Sequence, residues 1–374
     1  MRQFYTKIER KFKYGPAFFL LNFLLPTRKI PLKELKAIKP KKILLVKIHH
    51  KLGDMLLATP VFAPLRRRFP DTQIDFLAGT YNAQAVTHNR SLSSVFVFDR
   101  KKPFSSIGTL LRLRRERYDL CIVASASSFS TTNSILARLT GPKVITGYRA
   151  PYKGVPENRR ITSAIYSYAI ELPDPSVSES MYNIGYIAPF DCPVDTVDEV
   201  LHFTDSELAF ARDWYASIRP ATKHHCIGIH AGGTYASRQW PQEYFADLIS
   251  RLLVRKGVII IMFYGKGERT IVDSVLQAVN MNCGSGTSAI IHAPQGTFRQ
   301  LAALQSHLDL FIGNDTGPLH AAASSGCTAI GIYTVTKPAR WAPHNRTVTT
   351  LEQPTVDQVM ATAERLLNQT AGAS

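Results

Sequence analysis

The sequence predicts an α/β protein made of two tandem halves, each with a parallel sheet covered by helices. The first observation is that short apolar runs alternate with amphipathic segments in both halves, which is the βαβ pattern of a parallel sheet. The second is that Gly-containing turns follow several of these runs and precede a helix. The third is the length of 374 residues, sufficient for two domains with separate cores. A ligand site is therefore expected in the cleft between the halves, at the C-terminal ends of the strands.

Positive charge is concentrated in the first 50 residues. The net charge is +17, and residues 1–50 contain 13 Lys and Arg against 2 Asp and Glu. These basic residues flank the apolar run 17–25, which is too short to cross a bilayer and is not followed by a signal-peptide cleavage site. The pattern favours an anionic membrane surface over nucleic acid as the partner of residues 1–40. The alternative is that the apolar run packs on the protein itself.

The first half, residues 41–190, alternates strands with helices. Its strands are predicted at 41–47, 73–77, 95–98, 120–124 and 143–147. Leu52, Gly53 and Asp54 are predicted to form a turn before a helix over 55–68. A basic amphipathic helix is predicted around 107–117, and a Ser- and Thr-rich loop and helix over 125–140.

The second half, residues 191–350, repeats this alternation after an acidic connection rich in Pro and Ser at 171–205. Its strands are predicted at 226–230, 258–263, 290–292 and 308–312. Its helices are predicted at 241–256, from the turn at 264–268 to about 280, and at 298–307. Residues 351–374 form a C-terminal segment with an amphipathic helix at 356–367.

The segment 311–341 is where the sequence most suggests a ligand. An apolar strand ends at Gly313, and a helix of small residues begins near Gly317, with Asp315 or Thr316 as its N-cap and Pro318 in its first turn. Unpaired N–H groups, a Gly and a hydroxyl at a helix start can bind phosphate. Tight strand-to-helix turns with Gly also occur in α/β proteins without such a ligand, so this segment alone leaves both interpretations open.

Other motifs narrow the chemistry. The five cysteines are scattered without metal-ligand spacing, which predicts reduced thiols and neither a disulfide framework nor a zinc site. The sequence contains no GxxxxGK[ST], GxSxG or GxGxxG motif, and no DxD sequence that would suggest a metal-bound diphosphate.

Four motifs at strand-to-helix turns together resemble glycosyltransferase family 9, the ADP-heptose:lipopolysaccharide heptosyltransferases. They are LGDMLLATP (52–60), HAGGTYASRQWP (230–241), YGKGE (264–268) and GNDTGPLHAAAS (313–324), and YTVTKPARWAP (333–343) is similar to the family's closing motif. The resemblance covers about 41–343. It implies a GT-B fold, in which two Rossmann-like domains face each other across a cleft, with the C-terminal helix crossing back to the first domain. The acceptor would bind to the domain at 41–190 and the nucleotide sugar to the domain at 191–350.

The resemblance implies two catalytic residues. Asp54 would be the general base that takes the proton from an acceptor hydroxyl. The residues alone leave equal room for Asp54 as the N-cap of the following helix. Arg238 stands where the family usually has Lys, and it would neutralise the leaving diphosphate.

The resemblance also implies a set of donor-binding residues: Thr234, Arg238, Glu268, Asp315, Thr316, Gly317 and His320. Glu268 would bind the ribose, the Thr316 hydroxyl and nearby N–H groups would bind the diphosphate, and Asp315 would bind the transferred sugar. The alternatives are a turn-forming role for Thr234, a helix-start charge for Glu268 and a packed helix position for His320.

The resemblance thus implies an inverting glycosyltransferase without metal or cofactor that moves a heptose from ADP-heptose to a lipopolysaccharide core. The expected partners are the nucleotide sugar, an acidic lipid-linked glycan acceptor and an anionic membrane surface, with no nucleic acid. We expect a cytoplasmic monomer, peripheral on the inner face of the inner membrane. The alternatives are another nucleotide sugar or acceptor, and a sugar-nucleotide-binding protein without transfer activity.

Overall fold

The computed structural model describes residues 27–48, 51–125, 130–149, 165–218, 225–283 and 289–371. Within these residues the chain forms two six-stranded sheets, one in each half, and neighbouring strands in both are parallel. The apolar run 17–25 lies outside the described residues. Among the residues that are described, no helix is both long enough and apolar enough to cross a membrane.

The first domain is built on a sheet with the strand order β3-β2-β1-β4-β5-β6. The strands are β1 (Lys42–Lys47), β2 (Gln73–Gly79), β3 (Ser94–Phe98), β4 (Leu120–Val123), β5 (Val144–Tyr148) and β6 (Tyr168–Ile170). The helices are α1 (Leu32–Lys36), α2 (Leu52–Leu56), α3 (Phe62–Arg68), α4 (Ile107–Glu116), α5 (Thr131–Leu139) and α6 (Glu179–Ile184). The strand order changes direction beside β1, so the segment after β1 borders the crevice where such sheets bind ligands.

The second domain has the equivalent order, β12-β11-β10-β7-β8-β9. Its strands are β7 (His225–His230), β8 (Val258–Met262), β9 (Ile290–His292), β10 (Leu310–Asn314), β11 (Ala329–Tyr333) and β12 (Val348–Glu352). Its helices are α7 (Asp205–Ile218), α8 (Gln242–Val254), α9 (Arg269–Cys283), α10 (Phe298–Gln305), α11 (Gly317–Ser324), α12 (Pro338–Trp341) and α13 (Val356–Ala371). Both halves are therefore Rossmann-like, as predicted.

The central strands are apolar along their whole length because both faces of each sheet are covered. Residues 43–46 of β1 and all of β8 are buried, and the same holds for β10 and β11. Continuous apolar runs of this kind are typical of parallel strands that have helices on both sides. This explains why the apolar runs located most strands to within one or two residues.

The helix predicted over 55–68 is wrong in its bounds. The chain instead forms α2, a 3₁₀ turn at Thr59–Val61 and α3. Pro60 accounts for the break, because it has no N–H to continue the helical hydrogen bonding of α2. Leu52, Gly53 and Asp54 belong to α2 itself and do not form the predicted turn.

The connection predicted at 171–205 contains regular structure of the first domain. Helix α6 lies within it, capped by Ser178, whose Oγ accepts a hydrogen bond from the N–H of Met181. Tyr182 of α6 is buried in the first domain's core. The polar composition concealed this helix, and the pattern also missed β6, α7 and β12.

The C-terminal helix does not return to the first domain, so that expectation is wrong. Val359, Ala363 and Leu367 of α13 are fully buried in a core cluster of the second domain. Arg251 of α8 also pairs with Asp357 at 2.5 Å. An amphipathic pattern shows that one face of a helix is buried, but it does not show which domain covers that face.

Buried polar contacts join the two domains. Arg299 of α10 is 6% exposed and donates to the carbonyl oxygens of Gln84 and Thr87 in the first domain. Arg340 of α12 donates to Glu179 of α6 at 2.7 Å. In addition, Ala302 and Ala321, which lie on second-domain helices, belong to the apolar core of the first domain.

Cys121, Cys192 and Cys327 are free thiols, and burial raises the pKa of each.

Candidate active site

A cleft of about 960 Å³ lies between the two domains, at the C-terminal edges of both sheets. Every site residue predicted from the sequence lines it: Asp54, Thr234, Arg238, Glu268, Asp315, Thr316, Gly317 and His320. Asp54 comes from the first domain and the others come from the second. The fold therefore brings together groups separated by up to 266 positions in the chain.

Asp54 is the third residue of α2, in the first turn after β1. Helix α2 begins at Leu52, with Lys51 at the N-cap position and no side-chain capping bond. The interpretation of Asp54 as an N-cap is therefore wrong. Its carboxylate lies within electrostatic reach of two buried basic side chains, His320 and Lys47. An acid at this cleft edge can accept a proton from a ligand hydroxyl.

The first turn of α2 meets α11 of the second domain. A β-carbon on Gly53 would lie 3.0 Å from Cδ2 of His320. The absence of a side chain at Gly53 therefore allows this close approach between the domains. It also places Asp54 within electrostatic reach of His320 on α11.

Glu268 is held by a hydrogen-bonded chain that begins at Thr316. Oε2 of Glu268 lies 3.2 Å from Nε2 of His230, and Nδ1 of His230 lies 3.4 Å from Oγ1 of Thr316. With the ring proton on Nε2, His230 donates to Glu268 and can accept from the Thr316 hydroxyl. The His230 hydrogen bond lowers the pKa of Glu268 to about 2, aided by the N–H of Gly265. Glu268 is therefore a fixed carboxylate at the cleft wall.

Arg238 provides positive charge in the cleft. Its guanidinium carbon lies 5.3 Å from the centre of the Tyr235 ring, a cation–π contact. Among the described residues none forms an ion pair with Arg238. Its charge is therefore available to an anionic ligand.

Asn314, at the end of β10, holds the Arg238 loop in place. Its Nδ2 donates to the carbonyl oxygens of Ala231 and Gly232, and its Oδ1 accepts from the N–H of Trp240 at 2.9 Å. Trp240 is 2% exposed and packs on Phe245 in the first turn of α8.

Helix α11 begins directly at the cleft. Thr316 occupies the N-cap position with extended backbone angles and no side-chain capping bond, and Pro318 lies in the first turn. The Thr316 hydroxyl lies 3.2 Å from the carbonyl oxygen of Asn314, and Thr316 lines the cleft. Asp315 precedes it, and Oδ2 of Asp315 accepts from the hydroxyl of Thr336 at 2.6 Å. A helix start with a hydroxyl and a Gly can bind an anion.

His320 is a packed helix residue whose ring also borders the cleft. It is 5% exposed, and its Nδ1 lies 3.3 Å from both carboxylate oxygens of Glu199. Its Nε2 lies 3.9 Å from Oδ1 of Asp315. Burial lowers the pKa of His320, but the carboxylate of Glu199 outweighs this and leaves the pKa raised. The two interpretations of His320 from the sequence are thus compatible.

Glu199 holds His320 from behind the cleft, and the sequence did not indicate it. It lies in the segment between the domains, is 1% exposed, and accepts from the hydroxyl of Ser324 as well as facing His320. Asn345 bonds to both the N–H and the C=O of Glu199. Its acidic neighbours made Glu199 look like part of a solvated linker.

A second buried charge cluster, also not predicted, lies beneath Asp54. Nζ of Lys47 donates to Asn183 at 2.7 Å, and the Lys47 side chain is 1% exposed. Burial lowers the pKa of Lys47, while the Glu179 and Asp54 carboxylates act in the opposite direction. The feature of the sequence that could have indicated Lys47 is its position as a lysine at the end of an apolar strand that leads to the cleft.

The described residues contain no group of three or more His, Cys, Asp or Glu placed to hold a metal ion. The groups that could offset negative charge on a ligand are the Arg238 guanidinium and the N-terminus of α11.

Two solved structures share the fold of this chain. A glycosyltransferase of family 9 from Veillonella parvula superposes with a TM-score of 0.74 at 21% identity, covering 88% of this chain and 97% of that one. The E. coli ADP-heptose lps heptosyltransferase II superposes with a TM-score of 0.70 at 16% identity, covering 88% and 99%. This chain therefore has the GT-B fold, as the resemblance implied.

The family follows from the sequence itself. The family model for glycosyltransferase family 9 (heptosyltransferase) matches residues 110–366, and the chain belongs to this family. A curated relative is lipopolysaccharide heptosyltransferase 3 of Escherichia coli, which is 25% identical over 325 residues, covering 82% of this chain and 89% of the relative.

Proposed function

We propose that the protein transfers a heptose from ADP-heptose to a lipopolysaccharide core acceptor, with inversion at the anomeric carbon. The observation that carries the proposal is the shared cleft, which sets Asp54 of one domain beside seven donor-type residues of the other. Family membership and the names of the relatives support the choice of heptose and lipopolysaccharide.

Asp54 would act as the general base. Its carboxylate takes the proton of an acceptor hydroxyl while that oxygen forms a bond to the anomeric carbon. The bond from the anomeric carbon to the diphosphate oxygen breaks on the opposite face of the sugar, which inverts the configuration. The products are the new glycoside, ADP and a proton on Asp54.

The leaving diphosphate would be stabilised by the second domain. Arg238 offers two parallel N–H groups to phosphate oxygens, and the hydroxyls of Thr234 and Thr316 and the N–H of Gly317 complete the pocket. No metal or cofactor is needed in this proposal. Arg in place of the more usual Lys suits a bidentate phosphate contact.

Glu268 and Asp315 would select the two ends of the donor. Gly265 and His230 both bond to Oε2 of Glu268 and hold the carboxylate, which would accept from a ribose hydroxyl. The bond from Thr336 fixes Asp315, whose carboxylate would accept from hydroxyls of the heptose. His320 would contribute a proton-bearing ring beside the same sugar or phosphate.

The enzyme would work at the inner face of the inner membrane as a cytoplasmic, peripheral protein. The support is the basic and apolar composition of residues 1–40, which suits an anionic surface, together with a lipid-held acceptor. We propose a monomer, because one chain supplies every residue of the cleft used above.

The direct test combines donor binding with turnover. Thermal shift with ADP-, UDP- and GDP-linked sugars is expected to show stabilisation by ADP-heptose, because a ligand that binds only the folded state raises the melting temperature. Release of ADP with a heptose-deficient lipopolysaccharide acceptor, and the anomeric configuration of the product by NMR, test transfer and inversion.

The other outcomes separate the alternatives. Stabilisation by a different nucleotide sugar would replace the donor and keep the enzyme class. Stabilisation by ADP-heptose without turnover on any glycan acceptor would contradict the transfer reaction itself.

A further inference from the structure

An exposed surface of the first domain combines apolar and basic side chains. It consists of the loop after β3 and the outer face of α4, with Lys101, Lys102, Phe104, Ile107, Leu111 and Arg115, and is called here the α4 surface. Phe104 is 85% exposed and Leu111 is 51% exposed. Ile107 and Leu111 are four residues apart, so they share one helix face. Apolar side chains that are this exposed and adjacent in the chain mark an interaction surface.

The α4 surface begins at the same sheet edge as the cleft. Strands β1, β2 and β3 are neighbours and parallel, so the segments that follow them leave the sheet at one edge. Asp54 follows β1, Tyr81 follows β2 and lines the cleft, and Phe104 follows β3. Neighbouring strands lie about 4.8 Å apart, and β3 is two strands away from β1. The loop after β3 therefore starts roughly 10 Å from the segment after β1.

The charge of this surface is strongly positive. Residues 99–117 contain seven Lys and Arg against two Asp and Glu, a net charge of +5. The whole chain after residue 50 contains 32 Lys and Arg against 26 Asp and Glu, a net charge of +6. Residues 99–117 therefore account for nearly all of that net charge. Both acids are engaged locally: Asp99 accepts from the N–H of Lys101, and Glu116 pairs with Lys42 at 2.6 Å. Among the described residues none forms an ion pair with Lys101, Lys102 or Arg115.

We propose that the α4 surface docks on an anionic membrane and holds the cleft next to the lipid-linked acceptor. Exposed apolar side chains ringed by Lys and Arg match the headgroup and acyl boundary of such a membrane. A second copy of the chain is a poorer occupant, because two such surfaces would repel each other. The inference rests on the proposed function, because a surface beside the cleft is useful for docking only if the acceptor is held in a membrane.

The test measures partition of the full chain onto vesicles by sedimentation. Vesicles of phosphatidylglycerol and phosphatidylethanolamine are compared with phosphatidylcholine vesicles. Phe104→Ser/Leu111→Ser and, separately, Lys101→Glu/Lys102→Glu are expected to lower partition onto the anionic vesicles by at least about tenfold. Turnover of an acylated acceptor in those vesicles should fall in parallel, while turnover of the same glycan after deacylation should stay unchanged.

The controls use exposed side chains of the second domain. Val254→Ser/Met281→Ser matches the apolar change, because both side chains are highly exposed, and Arg212→Glu/Lys256→Glu matches the charge change. Partition of the α4-surface variants equal to that of these controls would overturn the inference. Failure of the wild type to process the deacylated glycan would count against the proposed function instead.

Discussion

Gly53 and His320 lie in contact across the domain boundary, and a β-carbon on Gly53 would approach Cδ2 of the ring to 3.0 Å. His320 cannot easily retreat, because both carboxylate oxygens of Glu199 hold its other side. The closeness of Asp54 to α11 therefore depends on the absence of a side chain at position 53.

Replacing this glycine should separate the reacting groups. Gly53→Ala is expected to lower turnover about tenfold to a hundredfold, because small displacements of reacting groups are costly, while nucleotide affinity stays nearly unchanged. Steady-state kinetics with a deacylated acceptor and calorimetric titration with ADP test this. Gly108→Ala is the control, since nothing lies within 4 Å of a β-carbon there. Equal turnover in the two variants would show that the contact does not set the geometry.

Replacing the proposed general base, Asp54, should slow the chemical step strongly and spare donor binding. Asp54→Asn preserves the size of the side chain but not its ability to take a proton, so a fall in kcat of about 10²–10⁴ is expected. Single-turnover kinetics measure the chemical step, and titration with ADP measures binding. Asp71→Asn on the same domain is the control. Turnover close to that of the wild type would assign the base to another group.

Arg238 should act through its charge. Arg238→Ala is expected to reduce kcat/KM about 10²–10³-fold, as loss of one stabilising donor does in other sites. Arg238→Lys should recover part of the loss, because it restores the charge without the bidentate contact. Arg212→Ala on the same domain tests for general charge effects. An alanine variant with wild-type kinetics would contradict a role at the diphosphate.

The Glu199–His320 pair should make stability depend on pH. The pKa of His320 is raised above 6.5, so its contribution is fully present below pH 6.5 and is lost as the pH rises through the folded-state value. The melting temperature of Glu199→Gln should therefore lie furthest below that of the wild type under acidic conditions, and the gap should narrow as the pH rises.

NMR titration of the His320 ring provides the second measurement. Glu199→Gln should lower the pKa of the ring, and Asp198→Asn, its neighbour in the same segment, should leave it unchanged. A gap in melting temperature that is constant over roughly pH 5 to 9, together with an unchanged ring pKa, would exclude the coupling.

The contribution of Glu268 to stability should depend on pH in the opposite direction. Its folded-state pKa is about 2 against an ordinary value of 4.5, so its contribution is present above pH 4.5 and disappears as the pH falls through 2. Glu268→Gln should destabilise the fold above pH 4.5, less so in stronger acid, and should also weaken ADP binding. Thermal melts across this range and ADP titration test both effects, with Glu243→Gln as the control. An unaltered ADP affinity would remove Glu268 from the ribose site.

The sequence predicted those parts of the site that follow strands directly. Glu268 follows β8, and Asp315 and Thr316 follow β10, so their location at one sheet edge depends only on the parallel strand order. The pairing of Glu199 with His320 could not be predicted in this way, because 121 residues separate them and tertiary packing alone brings them together. For the same reason, the sequence could not predict which domain α13 packs against.

The apolar core of the first domain includes Ala302 and Ala321 from the second. Neither domain can then lose its structure without exposing part of the other's interior. We expect calorimetry to show a single heat-absorption peak for the described fold, although the chain has two sheets and two Rossmann-like halves. A cut in the segment at 191–204 would leave two fragments that remain associated, because their packing, not the peptide chain, holds them together.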